Sequence, residues 1–170
     1  MYKTACEGKI IISDFVREHL MAHPEVYDLL DEAIAKLTLP TDGGNLAVEV
    51  EMGRIVGRSG VVATAPIGMD EVTTFALRPN RRKPSRVAVG VEGPEITRVV
   101  IYAGPTEEMK VYKLFTSYVG DLSRKEPWDP NLVESERAAS IGYWTTHALV
   151  HIPNLMGDPF MSTWNDVLRD

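Results

Sequence analysis

The feature that most constrains this chain is a change of hydrophobic period near residue 46. Ahead of it, Phe15/Val16, His19/Leu20, Val26, Leu29/Leu30, Ala33/Ile34 and Leu37 recur every three to four residues, which lines them up on one stripe of an α-helix. From 46 to 52 apolar and charged residues alternate, as on a half-buried strand. Between the two patterns, residues 39–45 carry Pro40, Gly43 and Gly44 and read as a loop. Helices followed by extended segments bury their apolar sides by packing helix on sheet, so the pattern predicts an α+β fold.

Local punctuation refines this. Ser13 is placed to cap a helix over 13–22. Pro24 disfavours helix at His23 and suits the first turn of a second helix over 24–37. Residues 54–65 read as a strand in which Gly57 and Gly60 mark a bulge or a close backbone approach, and 72–77 as a further strand. The β-branched and aromatic runs 97–103 and 110–119, joined by the turn residues 104–108, predict an antiparallel hairpin. Residues 79–96 read as a loop interrupted by the apolar run 87–89. Asp129 and Pro130 mark the start of a helix over 129–151, and a terminal segment over 153–170 docks through Phe160 and Trp164. The expectation is one domain over 1–170: helices over 1–40, a mostly antiparallel sheet of about four to six strands over 46–120, and a helix after the sheet. At 170 residues the chain is long enough to bury a substantial core.

Composition excludes several function classes. The single cysteine, Cys6, cannot form an intramolecular disulfide or a Cys-rich zinc site, and the apolar run 10–12 is far too short for a signal or membrane segment. These features predict a cytoplasmic protein with no membrane partner. There is no dinucleotide-binding fingerprint, P-loop, His-Glu-x-x-His or Gly-x-Ser-x-Gly motif. Two His-x-x-x-His pairs occur, His19/His23 and His147/His151, but each lies beside a proline without an evident third ligand. The reading is helix-flanking histidines, with no metal and no cofactor.

Net charge is −6, yet residues 54–86 alone carry +5 and the remainder −11. A basic middle in an acidic chain points to one local anionic ligand. Arginine presents a planar fork that matches phosphate oxygens, and histidine or tyrosine moves a proton near neutral pH. Arg58, Arg78, Arg81, Arg86, Thr116, Tyr118 and His147 are thus the parts that metal-independent cleavage of RNA requires. The rival reading pairs these arginines with the 24 acidic residues of the same chain, leaving a non-catalytic interaction or small-ligand module.

A series of short motifs also carries a resemblance. Gly57-Arg58-Ser59-Gly60, Ala76-Leu77-Arg78-Pro79-Asn80-Arg81, Tyr112-x-Leu114-x-Thr116 and Trp144-x-x-His147-Ala148-Leu149-Val150 resemble a widespread group of uncharacterised prokaryotic proteins. That group is similar in turn to the toxin-like ribonuclease superfold of RelE, barnase and EndoU-like domains. The resemblance implies Arg58, Arg78, Arg81 and Arg86 as phosphate ligands, Thr116 as positioning the phosphate and His147 as general acid or base. Taken with the residue chemistry above, His147, Arg86 and Thr116 are the expected catalytic residues and Arg58, Arg78, Arg81 and Tyr118 the expected substrate-binding residues, with RNA or another phosphate-bearing ligand as partner.

Overall fold

The computed structural model describes residues 2–4, 8–21, 23–40 and 43–169. Cys6, Ala22 at the end of the first expected helix, and Thr41 and Asp42 of the expected loop lie outside them. In chain order the elements are β1 (Tyr2–Lys3), β2 (Lys9–Ile11), α1 (Asp14–Met21), α2 (Pro24–Tyr27), α3 (Leu30–Ala35), β3 (Leu46–Glu51), β4 (Gly57–Arg58), β5 (Val61–Ala63), β6 (Val72–Ala76), β7 (Ser85–Ala88), β8 (Glu95–Ile96), β9 (Arg98–Pro105), β10 (Val111–Val119), α4 (Glu134–Thr145), β11 (His147–Val150), α5 (Pro153–Met156), β12 (Phe160–Thr163) and α6 (Trp164–Leu168). The fold is α+β, as the change of period predicts.

The backbone forms two compact units, each built from two stretches of chain. Unit 1 joins Met1–Ser59 to Glu95–Leu122, and unit 2 joins Gly60–Pro94 to Ser123–Asp170. The partition passes through the run 54–65 expected to be one strand. Its first part, β4, pairs with β8 in unit 1, and its second, β5, pairs with β11 in unit 2.

Unit 1 carries a sheet of order β1-β2-β10-β9-β3, in which only β2 and β10 are parallel. Leu46, Val48 and Val50 of β3 stand opposite Ala103, Ile101 and Val99 of β9, and these side chains share one sheet face. The helical stripe predicted from the sequence covers that face: Leu20, Val26, Leu30, Ala33 and Ile34 are buried in the same cluster. The Ser13 hydroxyl accepts from the Val16 amide at 3.4 Å, as a cap should.

The predicted hairpin is present, with a bulge. Leu114 stands opposite Ala103 and Thr116 opposite Tyr102, so Phe115 is the extra residue. Tyr112 and Leu114 face the core, whereas beyond the bulge Ser117 and Val119 take over that face. Alternation alone places Tyr112, Leu114 and Thr116 on one side, and the bulge sends Thr116 to the other. It also leaves Phe115 half exposed.

Unit 2 carries a sheet of order β12-β6-β7-β11-β5, in which only β7 and β11 are parallel. The predicted loop 79–96 contains one of its central strands, β7. The helix expected over 129–151 is corrected at both ends. Asp129 accepts from the Asn131 amide at 2.9 Å in a local turn, and α4 begins only at Glu134. It stops at Thr145, because His147–Val150 forms β11, flanked by β5 and β7. Pairing on both sides outweighs the helical spacing of these residues. Trp164 is fully buried and stacks on Phe75 with ring centroids 5.9 Å apart, so the terminal segment docks through it. Phe160 of β12 lies against the same Phe75 ring, 6.4 Å between centroids, and is 41% exposed.

Two measurements follow from this packing. Trp164→Ala removes the largest fully buried side chain, and urea denaturation should show a loss of about 3–5 kcal/mol. In unit 1, Glu32 accepts from the Arg54 guanidinium at 2.6 and 2.9 Å and faces Lys36 at 3.1 Å. These bonds lower its pKa to about 2. A folded-state pKa below the unfolded one stabilises the fold above the ordinary carboxylate range, and this stabilisation fades as pH falls through about 2. The Glu32 carboxyl should titrate near that value by NMR, and Arg54→Ala should return it toward the usual range.

Candidate functional site

The residues singled out in the sequence divide between the units. Arg58, Thr116 and Tyr118 belong to unit 1; Arg78, Arg81, Arg86 and His147 belong to unit 2.

In unit 2, Arg86 is buried on β7. Its guanidinium donates to Thr64 Oγ1 at 2.8 Å and to the carbonyls of Trp144, Thr145 and His147 at 3.3, 2.9 and 3.2 Å, and to Ala65 O at 3.3 Å. The first two carbonyls belong to the last turn of α4, where a cation also meets the negative end of the helix dipole. Burial lowers its pKa, opposed by the charge of Glu71. This placement gives Arg86 the task of closing the helix end, and its donors are committed to it.

Arg78 forms an ion pair with the buried Glu126, which also accepts from the Ser85 hydroxyl at 3.3 Å. Burial lowers the Arg78 pKa and the Glu126 charge raises it. Arg81 is exposed on the turn that follows, where its amide donates to the Arg78 carbonyl at 3.1 Å and Asn80 holds φ +62°. His147 stacks on Tyr143 at 4.0 Å between centroids, nearly parallel, and its Nδ1 lies 3.0 Å from the Tyr143 carbonyl. A carbonyl only accepts, so Nδ1 bears a proton there.

The His147/His151 pair lies along and just past a strand rather than on a helix. Four residues of strand span about 13 Å, against about 6 Å for one helical turn. His151 Nε2 in turn donates to the Gly157 carbonyl at 3.0 Å. Among the described residues, no group of three or more His, Cys, Asp or Glu side chains is placed to hold a metal ion, and no helix is long and apolar enough to cross a membrane.

In unit 1 the chemistry converges. A cleft of about 260 Å³ is lined by His19 of α1, His23, Glu25 and Val26 around α2, Gly57 and Arg58 of β4, and residues 116–119 of β10. Three residues singled out in the sequence thus share one cleft with the first histidine pair. That pair occupies the junction between α1 and α2, with imidazole centroids 5.2 Å apart, edge to face. Glu25 Oε1 lies 3.4 Å from His23 Nδ1, and Arg58 faces Glu95 at 3.8 Å with both side chains about half exposed. Gly57 is a close-approach residue, as expected: a Cβ there would fall 2.9 Å from Val119 Cγ1.

A larger, shallower hollow of about 610 Å³ near residues 106–111 sets Lys9 against Glu107 and Glu108, a poor balance for a phosphate. The histidines were legible as a pair at helical spacing. What the sequence could not supply was β10, brought beside them by the parallel pairing of β2 with Val111–Lys113.

Comparison with protein-family models, curated proteins and solved structures finds no match to this chain.

The two classes of arginine differ in what their loss should do. Arg86→Met strands buried acceptors, and thermal or urea unfolding should show a loss of at least about 2 kcal/mol. Arg81→Ala, on an exposed turn, should stay within about 0.5 kcal/mol of the parent.

Proposed function

We propose that unit 1 binds a phosphate-bearing ligand in the cleft beside β10. The observation that carries this is the meeting of Arg58, His19, His23 and the Thr116–Val119 segment of β10 around one cavity. Arg58 supplies the fixed positive charge and a planar donor fork. Its contact with Glu95 is long and solvent-exposed, a geometry worth little by itself in water. Glu25 Oε1, 3.4 Å from His23 Nδ1, orients that ring in the cleft. His19, edge-on to His23, supplies a second imidazole within the same cavity.

Two imidazoles in one cleft also support a catalytic version of this reading, metal-independent cleavage of RNA. One ring would take the proton of the 2′-hydroxyl, the other would return one to the leaving 5′-oxygen, and Arg58 would stabilise the added phosphate charge. This version places the acid–base pair at His19 and His23. Arg86 has its donors committed within unit 2 and Arg78 is ion-paired with Glu126 there, in keeping with the rival reading of internally paired arginines.

Titration of the EDTA-treated protein with inorganic phosphate should move the ring resonances of His19 and His23 in NMR spectra. Arg58→Ala should weaken that binding about tenfold or more. Unmoved histidine resonances, or an Arg58→Ala variant that binds as the parent does, would overturn the proposal. Incubation with short RNAs in EDTA tests the catalytic version: products that vanish in His19→Ala and His23→Ala support it, and intact RNA removes it while leaving binding in place.

A further inference from the structure

The unit 1 sheet has a second face, turned away from the helices, and the bulge places an aromatic ring on it. Tyr112 and Leu114 pack toward the helices, so Lys113 between them points the other way. Gly104 stands opposite Lys113 on one side and Ile11 on the other. A Cβ on Gly104 would fall 2.8 Å from Phe115 Cε2, closer still to Cζ, and 3.1 Å from Asn45 Oδ1. The Phe115 ring therefore lies across the bare Gly104 backbone, with the Asn45 carboxamide beside it, on the face that carries Lys113.

This ring is held in place and yet open. A side chain at position 104 would displace it, so the glycine is a close-approach site that fixes where the ring rests. Even so, 55% of Phe115 is exposed. Asn45, Ala47 and Lys113 are exposed around it, and Lys113 makes no ion pair among the described residues.

The neighbours of the ring decide what it suits. A protein partner is anchored by a continuous apolar patch, whereas Asn45, Lys113 and Thr116 break this surface into one ring among polar groups. An aromatic ring, a carboxamide and an ammonium answer the three parts of a nucleotide. The base stacks on the ring, its edge exchanges hydrogen bonds with the amide, and the phosphate meets the ammonium. Carboxylates lie away from the ring. Glu49, opposite Val100, faces Arg98 at 3.7 Å and accepts from the Leu122 amide at 2.8 Å. Glu107 and Glu108 belong to the hollow that also holds Lys9.

We infer that Phe115, Asn45 and Lys113 form a base-binding site for single-stranded nucleic acid, in which one base stacks on Phe115 and presents its edge to Asn45. The site goes beyond the phosphate reading of the cleft and does not depend on it, because none of the three residues lines that cleft.

The test compares an adenylate RNA hexamer, a hexamer of the same phosphate count without bases, AMP and inorganic phosphate. The adenylate hexamer should bind about tenfold or more tighter than the base-free one, within the range that one stacked base supplies, and should move the Phe115 ring resonances. Phe115→Ala should erase that ratio and Phe115→Trp should keep it, which separates lost stacking from lost folding. Lys113→Gln should lower the slope of log affinity against log salt by about 0.7. Equal binding of the base-free hexamer, or a Phe115→Ala variant that binds as the parent does, would overturn the site. AMP that binds as tightly as the hexamer would overturn the single-strand assignment. A dimer that Phe115→Ala abolishes and the hexamer does not disperse would give the ring to a second copy of the chain and end the proposal. Inorganic phosphate should move the His19 and His23 resonances equally in Phe115→Ala and in the parent, so that failure of the cleft reading and failure of this site are told apart.

Discussion

One extra residue, Phe115, decides which way the second half of β10 points. Side chains on a strand alternate, so an insertion opposite the register between Ala103 and Tyr102 exchanges the two faces for everything after it. Before the bulge, Tyr112 and Leu114 are buried against the helices; after it, Val119 packs against that same core. Thr116 and Tyr118, which an unbroken alternation would bury among the helices, are turned to the other side. There Tyr118 comes within 6.2 Å of Tyr102, ring centre to ring centre. The stretch that follows the bulge, Thr116 to Val119, lines the cleft.

This also explains what could and could not be read from the sequence. The helical stripe, the alternating strand at 46–51 and the hairpin were legible, because each is set by periodicity within a single segment. The histidine pair was legible as a spacing. The bulge was not: Phe115 sits in a run of strand-forming residues with no glycine to mark it. The strand at His147–Val150 was hidden for a related reason. Its residues continue the helical spacing of α4, and only pairing with β5 and β7 makes them extended. Likewise, the run 54–65 keeps strand-like composition throughout, while its two halves find partners in different units. Register and partner choice are long-range properties, and they carried most of what the local pattern missed.

Arginine chemistry illustrates the same limit. The basic segment 54–86 is real in the sequence, but charge counts do not say where each guanidinium spends its donors. Arg54 is held by Glu32, Arg78 by Glu126, and Arg86 by a hydroxyl and four carbonyls. A buried guanidinium keeps its charge only by satisfying its donors inside the protein, and removing it leaves the acceptors stranded. Arg86 therefore belongs to the stability of unit 2: it closes the end of α4 beside the strand that follows.

An arginine that holds a structure together is a poor ligand for anything else, since binding would first have to undo the contacts it already makes. The opposite holds for one whose pairing is weak. Arg58 meets Glu95 at 3.8 Å with both side chains about half exposed, a geometry worth little in water, and lines the same cleft as two imidazoles. Strength of pairing thus separates the arginines that hold unit 2 together from Arg58, which lines the cleft of unit 1. By that criterion the cleft beside β10, rather than the centre of the basic segment, is where our proposal places an anionic ligand.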